Sequence, residues 1–547
     1  MRKHRSIKVL TNDAIHNNSI KSQYQLYKNY KLGDFVEQDL EQEAYFFKKV
    51  KNNLQKSRLR LKSIKLINFR GFSNLEVDLS SEYVVLAANN GYGKTGVLES
   101  IFNGLTWLMR NFKANSANGN FIRPEDIRAD KKVDSASVLL EVNLLQGDKE
   151  NSRYSINLSK TNDDAEEKQD GSYQEFRSLA EMYKELALYE VNFPVLAFYS
   201  VERGNAIRRG ELKKSADELL KEFNSKDYFL NVSHAPRFEV FLAWMVSVNT
   251  QELYEYNTNP AAILREKALT TVKALKELQS SDVKVSEIIK QLESEVNRIN
   301  ALQNSSKSTE STGSNNKNKI IFDAIYKFMP EIKNLKFEFN GDTSKVDLIC
   351  EKNNCVISVS QLSQGEKTML SLVCDISLRL ISANKNRDNP FDGDGIIIID
   401  EIDLHLHPIW QQTVLLRLRE TFPNIQFIIS THSSNVLSTS SNDCIRKIAE
   451  SKIGISGHYD IEVPDFSLGA ETSTLQEDIQ GVSSRPESLE IIQKLFLYKE
   501  MVIDDKWDTP QAEKLFNELC EWGEGHDAII NKLRLDVTLR KRRRDKK

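Results

Sequence analysis

The sequence predicts an α/β fold with two lobes that takes its ligand at the C-terminal ends of buried strands. Three observations lead there. Short β-branched runs alternate with helical stretches on either side of a helical, polar middle segment. A glycine-bearing loop, Asn89-Asn-Gly-Tyr-Gly-Lys-Thr95, lies directly between a strand and a helix. A run of isoleucines, Ile396–Ile399, delivers two acids, Asp400 and Glu401, to its end.

Size and composition set the frame. A chain of 547 residues exceeds what one ordinary core supports, so two or more domains or lobes are expected. Hydrophobic residues make up 40% and charged ones 28%, the balance of a soluble globular protein. The formal net charge of −3 gives no global field toward nucleic acid or membrane, so any such contact needs a local patch. Cys350, Cys355, Cys374, Cys444 and Cys520 are odd in number and scattered, which reads as reduced thiols rather than a disulfide framework. The spacing of Cys350 and Cys355 is too wide for a zinc knuckle, and no second pair lies nearby. Met1-Arg-Lys-His-Arg is basic, but no apolar segment follows it. Apolar runs such as Val84–Ala88 are far too short to span a bilayer, so a cytoplasmic location is expected.

Residues 1–60 read as a helical N-terminal extension. One amphipathic helix from Phe35 to Leu61 places Phe35, Leu40, Tyr45, Phe46, Val50 and Leu54 near one face, for packing onto the next domain or for docking a partner. Residues 61–202 form the first lobe. Its strands fall at Ile64–Asn68, Leu75–Leu79 and Val84–Ala88; after a helix at Lys94–Phe112 come Ser137–Leu145, Tyr154–Leu158 and Pro194–Tyr199. Residues 203–319 read as a helical insertion and linker. There Val285, Ile288, Leu292, Ile299 and Leu302 take heptad-like spacing, enough for a short coiled arm and too few for a long rod. Asn304–Lys319 is a polar low-complexity stretch, expected to be disordered. The second lobe, 320–487, has strands at Leu335–Asn340, Val346–Cys350, Val356–Val359, Ile396–Ile399 and Gln426–Ser430, with helices at Gln364–Ser382 and near Trp410–Glu420. Residues 488–547 are a helical C-terminal extension. Its basic end, Arg540–Lys547, reads as a solvated, disordered tail, with contact to a nucleic-acid backbone as the alternative reading.

The loop at 89–95 has the context that phosphate binding requires. Asn89, Asn90, Gly91, Tyr92 and Gly93 offer main-chain N–H groups at the positive end of a helix. Lys94 would reach β- and γ-phosphates, and the Thr95 hydroxyl would ligate Mg²⁺. Ala88 stands where the G-x-x-x-x-G-K-T pattern has its first glycine, which is acceptable if its φ is negative. Asp400 would complete the Mg²⁺ shell and Glu401 would polarise an attacking water. Alone, that pair would read as a core strand ending in two solvated acids. Gln361-Leu-Ser-Gln-Gly-Glu-Lys367 opens a helix, so Ser363, Gly365 and the free N–H groups at the helix start make a second anion site. Ile428-Ile-Ser-Thr-His432 is a strand ending in histidine. His405 and His407, in the loop Ile402–Pro408, have metal-ligand chemistry, but the neighbouring acids are already assigned to Mg²⁺ and water.

Leu362-Ser363-Gln364-Gly365-Glu366 resembles the LSGGE-type signature of ABC and SMC-like ATPases. The phosphate loop, the acid pair and His432 resemble the Walker A, Walker B and switch histidine of the same family. The resemblance implies an ABC-type ATPase head with two lobes, a helical or short coiled-coil insertion, and ATP and Mg²⁺ as cofactors. In that family the signature of one subunit meets the γ-phosphate of ATP held by its partner, so a head-to-tail homodimer is implied. Ile402-Asp-Leu-His-Leu-His-Pro408 resembles the dimer-contact loop that follows the acid pair in that family, with His407 where many relatives have Asp. No clear glutamine marks the family's Q-loop: Phe121–Arg128 lies where it is expected, and Gln146 is the other candidate.

Ile64-Lys-Leu-Ile-Asn-Phe-Arg-Gly-Phe72 resembles the first strand and turn of RecF, SMC and OLD ATPases. A long coiled coil with a CxxC hook is missing, and so is the Toprim pattern of an OLD nuclease. Pro194–Arg203 and Ser484-Arg-Pro486 resemble the PtuA ATPases of Septu and retron-associated anti-phage systems, over roughly Leu61 to Ser488. That resemblance implies a separate HNH nuclease (PtuB-like) as partner and, in a retron, a reverse transcriptase with its DNA–RNA product. Two other readings stay open: a RecF/SMC-like repair or recombination ATPase acting on DNA ends, and a nucleotide-binding scaffold with little turnover.

Overall fold

A computed structural model describes residues 2–89, 91–130, 133–162, 167–168, 171–201, 227–230, 242, 245, 311–340, 345–451 and 457–544. The heptad positions of the expected coiled arm, and Asn90, lie outside the described residues. The chain divides into two compact units, Met1–Gly469 and Ala470–Lys547, so the last boundary falls earlier than the 487/488 position read from sequence.

Three helices open the first unit: α1 (Arg2–His16), α2 (Ile20–Leu32) and α3 (Leu40–Gln55). Helix α3 is shorter at both ends than the helix expected from Phe35 to Leu61. The Asp39 carboxylate accepts the N–H groups of Glu41 and Gln42 and so fixes the start. Phe35 has φ 66° and is 63% exposed, and Leu40 is 83% exposed. At the other end, Leu59 and Leu61 turn inward in a strand and pair with Leu144 and Val142. Local apolar content fits both periods there, and strand pairing decides between them. Phe46, Val50 and Leu54 do face inward, in one buried cluster with Leu61, Leu144 and Ile156. The extension is therefore packed onto the first lobe, and Lys21–Glu175, Lys28–Glu181 and Lys31–Glu185 ion pairs line the seam.

The chain continues through β1 (Ser57–Phe69), β2 (Phe72–Asp78), β3 (Tyr83–Ala87), α4 (Lys94–Lys113), β4 (Ser135–Gln146), β5 (Lys149–Asn162), α5 (Gln174–Ala187) and β6 (Val195–Tyr199). Next come α6 (Ser311–Phe328), β7 (Lys333–Asn340), β8 (Lys345–Lys352), β9 (Cys355–Ser358), α7 (Gln364–Ala383) and β10 (Gly395–Ile399). Helix α8 (Val414–Thr421), β11 (Ile425–Thr431), β12 (Ile445–Glu450) and β13 (Tyr459–Glu462) close the unit.

The central sheet has the order β13-β12-β3-β11-β10-β6, parallel throughout except for the edge strand β13. Every residue of β3, β6, β10 and β11 is buried, as unbroken apolar runs in a sheet covered on both faces should be. A long antiparallel sheet, β2-β1-β4-β5, faces it, and a small antiparallel sheet, β9-β8-β7, precedes the signature helix α7. Helix α4 lies between the two large sheets. Its Val97, Leu98, Ile101 and Leu105 share one core with Leu140 and Ile156 on one side and Ile396, Ile398 and Ile428 on the other. Gly104 makes that fit possible, because a Cβ there would lie 2.6 Å from Leu140 Cδ2. The α/β class expected from the alternating pattern is the class observed.

One expectation about order changes. Of Asn304–Lys319, expected to be disordered, residues 304–310 lie outside the described residues and Ser311–Lys319 forms the first half of α6. Its Asn/Ser-rich composition is a poor helix former, but the helix continues into Ile321, Ala324, Ile325 and Phe328, which are buried. Tertiary burial of that apolar half stabilises the whole helix.

The second unit carries α9 (Glu490–Ile503), α10 (Pro510–Gly523) and α11 (Ala528–Arg544) around Leu495, Tyr498, Trp507, Leu519 and Leu533. Its basic end is partly built in. Arg544 bonds Asp508 at 2.6 Å and Asp505 at 2.9 Å, Arg540 bonds Asp505 at 3.2 Å, and Arg544 lies 4.7 Å from the Trp507 ring centroid. Among the described residues, no helix is long and apolar enough to cross a membrane.

Candidate functional site

Strand β3 runs out at Ala87, and the chain turns through two left-handed glycines, Gly91 (φ 85°) and Gly93 (φ 81°), into α4. Ala88 is absent from the positive-φ residues, so it meets the condition that its place in the loop imposes. Gly93 caps α4 without a side-chain bond, which leaves the first N–H groups of the helix for a ligand. Gly93 also tolerates no Cβ, which would lie 2.6 Å from Phe72 Cζ. Lys94 folds back onto the Ala88 carbonyl, donating at 2.9 Å. Burial pushes its ammonium down to about 8, against the pull of Glu401, Asp400 and Asp403.

Two parallel neighbours of β3 bring the other groups to the same sheet end. Asp400 follows β10, is 1% exposed, and accepts the Thr95 hydroxyl at 2.9 Å. The Ser430 hydroxyl donates to its other oxygen at 2.5 Å and accepts the Glu401 N–H at 2.8 Å. Glu401 sits at φ 48°, a left-handed conformation that turns its side chain out of the strand line. His432 follows β11. Its N–H reaches Asp403 Oδ1 at 3.4 Å, and Thr431 donates to the same oxygen at 2.5 Å. Burial, and then the Lys94 ammonium, push the His432 imidazole below its ordinary value.

Gly91, Tyr92, Gly93, Lys94, Thr95, Asp400, Glu401 and His432 line one cleft of about 440 Å³, together with Arg70, Phe72 and Tyr459. Asn89 lies at the entrance to the loop, where its carbonyl accepts the Tyr92 N–H at 3.4 Å. Asn90 falls outside the described residues.

Ser363, Gln364, Gly365 and Glu366 do not line that cleft. Ser363 is the N-cap of α7, and Glu366 closes a capping box with it. Burial alone would raise the Glu366 pKa, but Lys352 and Ser363 together hold its carboxylate below the ordinary range. Gly365 is required by proximity rather than by φ: a Cβ there would lie 2.5 Å from the His405 carbonyl oxygen. The signature thus packs on the loop that follows the acid pair. His407 serves that loop as the cap of a short turn at Pro408–Gln411.

Helix α7 is also fastened from below. Asp375, 0% exposed, accepts from Tyr199 at 2.6 Å, from Arg379 at 2.9 Å, and from Tyr228. Tyr199 ends β6, and its carbonyl accepts the Asp400 N–H at 2.9 Å. One buried charge network therefore joins the signature helix to the strand end that holds the acids.

Several of these groups were not singled out from sequence. Arg70 bonds Glu99 at 2.6 Å and Asp126 at 2.8 Å, which ties the segment Phe121–Arg128 to the cleft. Gln146, the other Q-loop candidate, lies elsewhere: it bonds Asn18 and the Asn53 carbonyl at the far end of β4. Tyr459 reaches the cleft from edge strand β13 and meets Tyr92 edge-on at 5.6 Å. Ser430 had a faint signal, as a small polar residue ending an apolar run. Asp403 lies inside the loop Ile402–Pro408 with no role of its own read from sequence, and Tyr459 had no signal.

Comparison with known proteins shows the family. The RecF/RecN/SMC N-terminal domain family matches residues 60–455. The chain is 31% identical to the retron Ec83 probable ATPase of Escherichia coli, over 95% of this chain and 94% of that one. It is 31% identical to the retron Vc95 probable ATPase of Vibrio cholerae, over 78% and 81%. A shorter match, 44% identical over 15% of this chain and 11% of the other, is to Septu protein PtuA of Bacillus mycoides. With a glycine-bearing loop, an acid pair and a strand-end histidine in one cleft, and with that match across the core, this chain belongs to the RecF/RecN/SMC N-terminal domain family.

Proposed function

We propose that this chain binds ATP with Mg²⁺ and hydrolyses it at composite sites completed when two copies pair head to tail. The observation that carries the reading is a separation. Lys94, Thr95, Asp400, Glu401 and His432 share a cleft, whereas Ser363 opens a helix outside it. A second anion site that does not face its own cleft is suited to a nucleotide held by another subunit. Thr95 and Asp400 present hard oxygen donors on adjoining elements, the chemistry that Mg²⁺ takes. When bound, Mg²⁺ neutralises charge on the β- and γ-phosphate oxygens.

This chain's own residues do the rest. Lys94 leaves the Ala88 carbonyl for phosphate, and the uncapped N–H groups of α4 hold the anion. Ser430 fixes the main chain at Glu401, so that the carboxylate orients the attacking water. His432, which burial and then Lys94 bias toward the neutral form, donates one ring N–H to a γ-phosphate oxygen.

The retron and Septu relatives support a role in anti-phage defence. In that role the chain would be the nucleotide-controlled subunit that restrains or licenses a separate HNH nuclease. In a retron setting it would also meet a reverse transcriptase and its DNA–RNA product. Co-expression with the neighbouring genes, purification through this chain and mass measurement of the complex test the partners; recovery of this chain alone rejects them.

The enzymatic test is Glu401→Gln. It should keep ATP binding and ATP-driven pairing while phosphate release falls about 100-fold or more, as loss of a general base predicts. Turnover unchanged in Glu401→Gln rejects the assignment of that residue. Tight ATP binding with no turnover in the parent favours the scaffold reading.

A further inference from the structure

The signature carries a charge of the wrong sign for the ligand proposed for it. Glu366 Oε2 accepts the Ser363 hydroxyl at 2.8 Å and the Ser363 N–H at 3.0 Å. The other oxygen, Oε1, accepts Lys352 Nζ at 2.6 Å. Glu366 is 8% exposed, so solvent screens its charge only weakly. Lys352 does not belong to the signature helix. It is the last residue of β8 and pairs with Cys355 across the turn into β9.

We infer that Lys352 is a positioning residue for the signature: it cancels the charge of Glu366, so that Ser363 can turn its hydroxyl from Glu366 to a phosphate oxygen of a nucleotide held by a second copy. The inference rests on the composite-site reading. A serine hydroxyl has one proton, so it serves either Glu366 or the phosphate. In the single chain it serves Glu366. A phosphate oxygen that takes its place comes close to the carboxylate, and two anions so placed in a partly buried site repel strongly. Lys352 keeps Glu366 occupied and neutralised while the hydroxyl moves. Without Lys352, a bare carboxylate both grips the hydroxyl and repels the nucleotide. The Glu366 contact to the Ser363 N–H survives either way and keeps the helix start intact.

A purely structural role predicts otherwise. Loss of Lys352 would then loosen the signature regardless of Glu366, and removing the carboxylate as well would only add damage. The test uses the full chain carrying Glu401→Gln, so that ATP-bound pairs persist. Pairing with ATP and Mg²⁺ is followed by light scattering, and binding to single chains by a fluorescent ATP analogue. Lys352→Met should raise the protein concentration for half-pairing by about tenfold, with single-chain ATP affinity unchanged within about twofold. Lys352→Arg should pair like the parent. Adding Glu366→Gln to Lys352→Met should recover most of the loss. The inference is overturned if Lys352→Met pairs like the parent, or if the added Glu366→Gln recovers nothing. If the parent does not pair with ATP, or Ser363→Arg pairs as well as the parent, the composite-site reading itself falls.

Discussion

Gly93 is where backbone and side-chain geometry make one substitution calculable. The residue sits at φ 81°, and an added Cβ would lie 2.6 Å from Phe72 Cζ and 2.9 Å from Cε2. The left-handed conformation costs a non-glycine residue roughly 1–2 kcal/mol. Phe72 cannot readily yield, because it is 1% exposed and its ring packs edge-on against Tyr459 at 5.3 Å. The overlap therefore adds about 1–3 kcal/mol, the usual cost of overpacking. Gly93→Ala raises the energy of the binding conformation of the loop by about 2–5 kcal/mol, which weakens nucleotide affinity roughly thirtyfold to several-thousandfold. Titration with a fluorescent ATP analogue measures it. Adding Phe72→Leu withdraws the ring and should return about tenfold of affinity, leaving the backbone cost. The reasoning is refuted if Gly93→Ala binds within about threefold of the parent, or if Phe72→Leu recovers nothing.

Other outcomes follow from the same contacts. Arg379→Met strands the buried Asp375 carboxylate and should lower unfolding stability by about 3–5 kcal/mol, read from the urea midpoint. Adding Asp375→Asn should recover part of that loss, and a midpoint unmoved by Arg379→Met counts against the network. Ser430→Ala removes the hydroxyl shared by Asp400 and the Glu401 N–H, so phosphate release should drop about tenfold with ATP affinity nearly kept. Asp505 is held down to about 2, from 3.8, by Arg544, Trp507 and Arg540. A depressed carboxylate contributes stability above its unfolded pKa, so this contribution is full above about pH 4 and is lost as the pH falls through about 2. Carboxyl NMR should show that midpoint, and Arg544→Gln should move it up toward 3.8; an unmoved midpoint dismisses the arginine contact.

The grouping of residues in the cleft at the central sheet's end was largely legible because they are contiguous. Residues 89–95 carry the loop, its two left-handed glycines and its cation in one run, and the acid pair follows directly on an all-apolar strand. The helix ends were less legible. Phe35 to Leu61 has the right apolar spacing for one helix, yet Asp39 starts α3 late and pairing with β4 takes Ser57–Leu61 into a strand. Gln146 and Arg70 show the same limit at the site. Each is a polar residue at a strand end, and nothing local says that Gln146 meets the N-terminal helices whereas Arg70 meets the cleft.

By itself the sequence determined the elements whose causes lie within a few residues: strand and helix periods, the glycine loop at 89–95, and the helix that opens at Ser363. Those depend on main-chain geometry and on contacts between near neighbours along the chain. Only the tertiary structure decided that Ser430 holds both acids, that Asp375 ties the signature helix to the strand beside them, and that Lys352 faces Glu366. Such partners come from separate strands and helices, and they meet through sheet order and register, which no local spacing encodes.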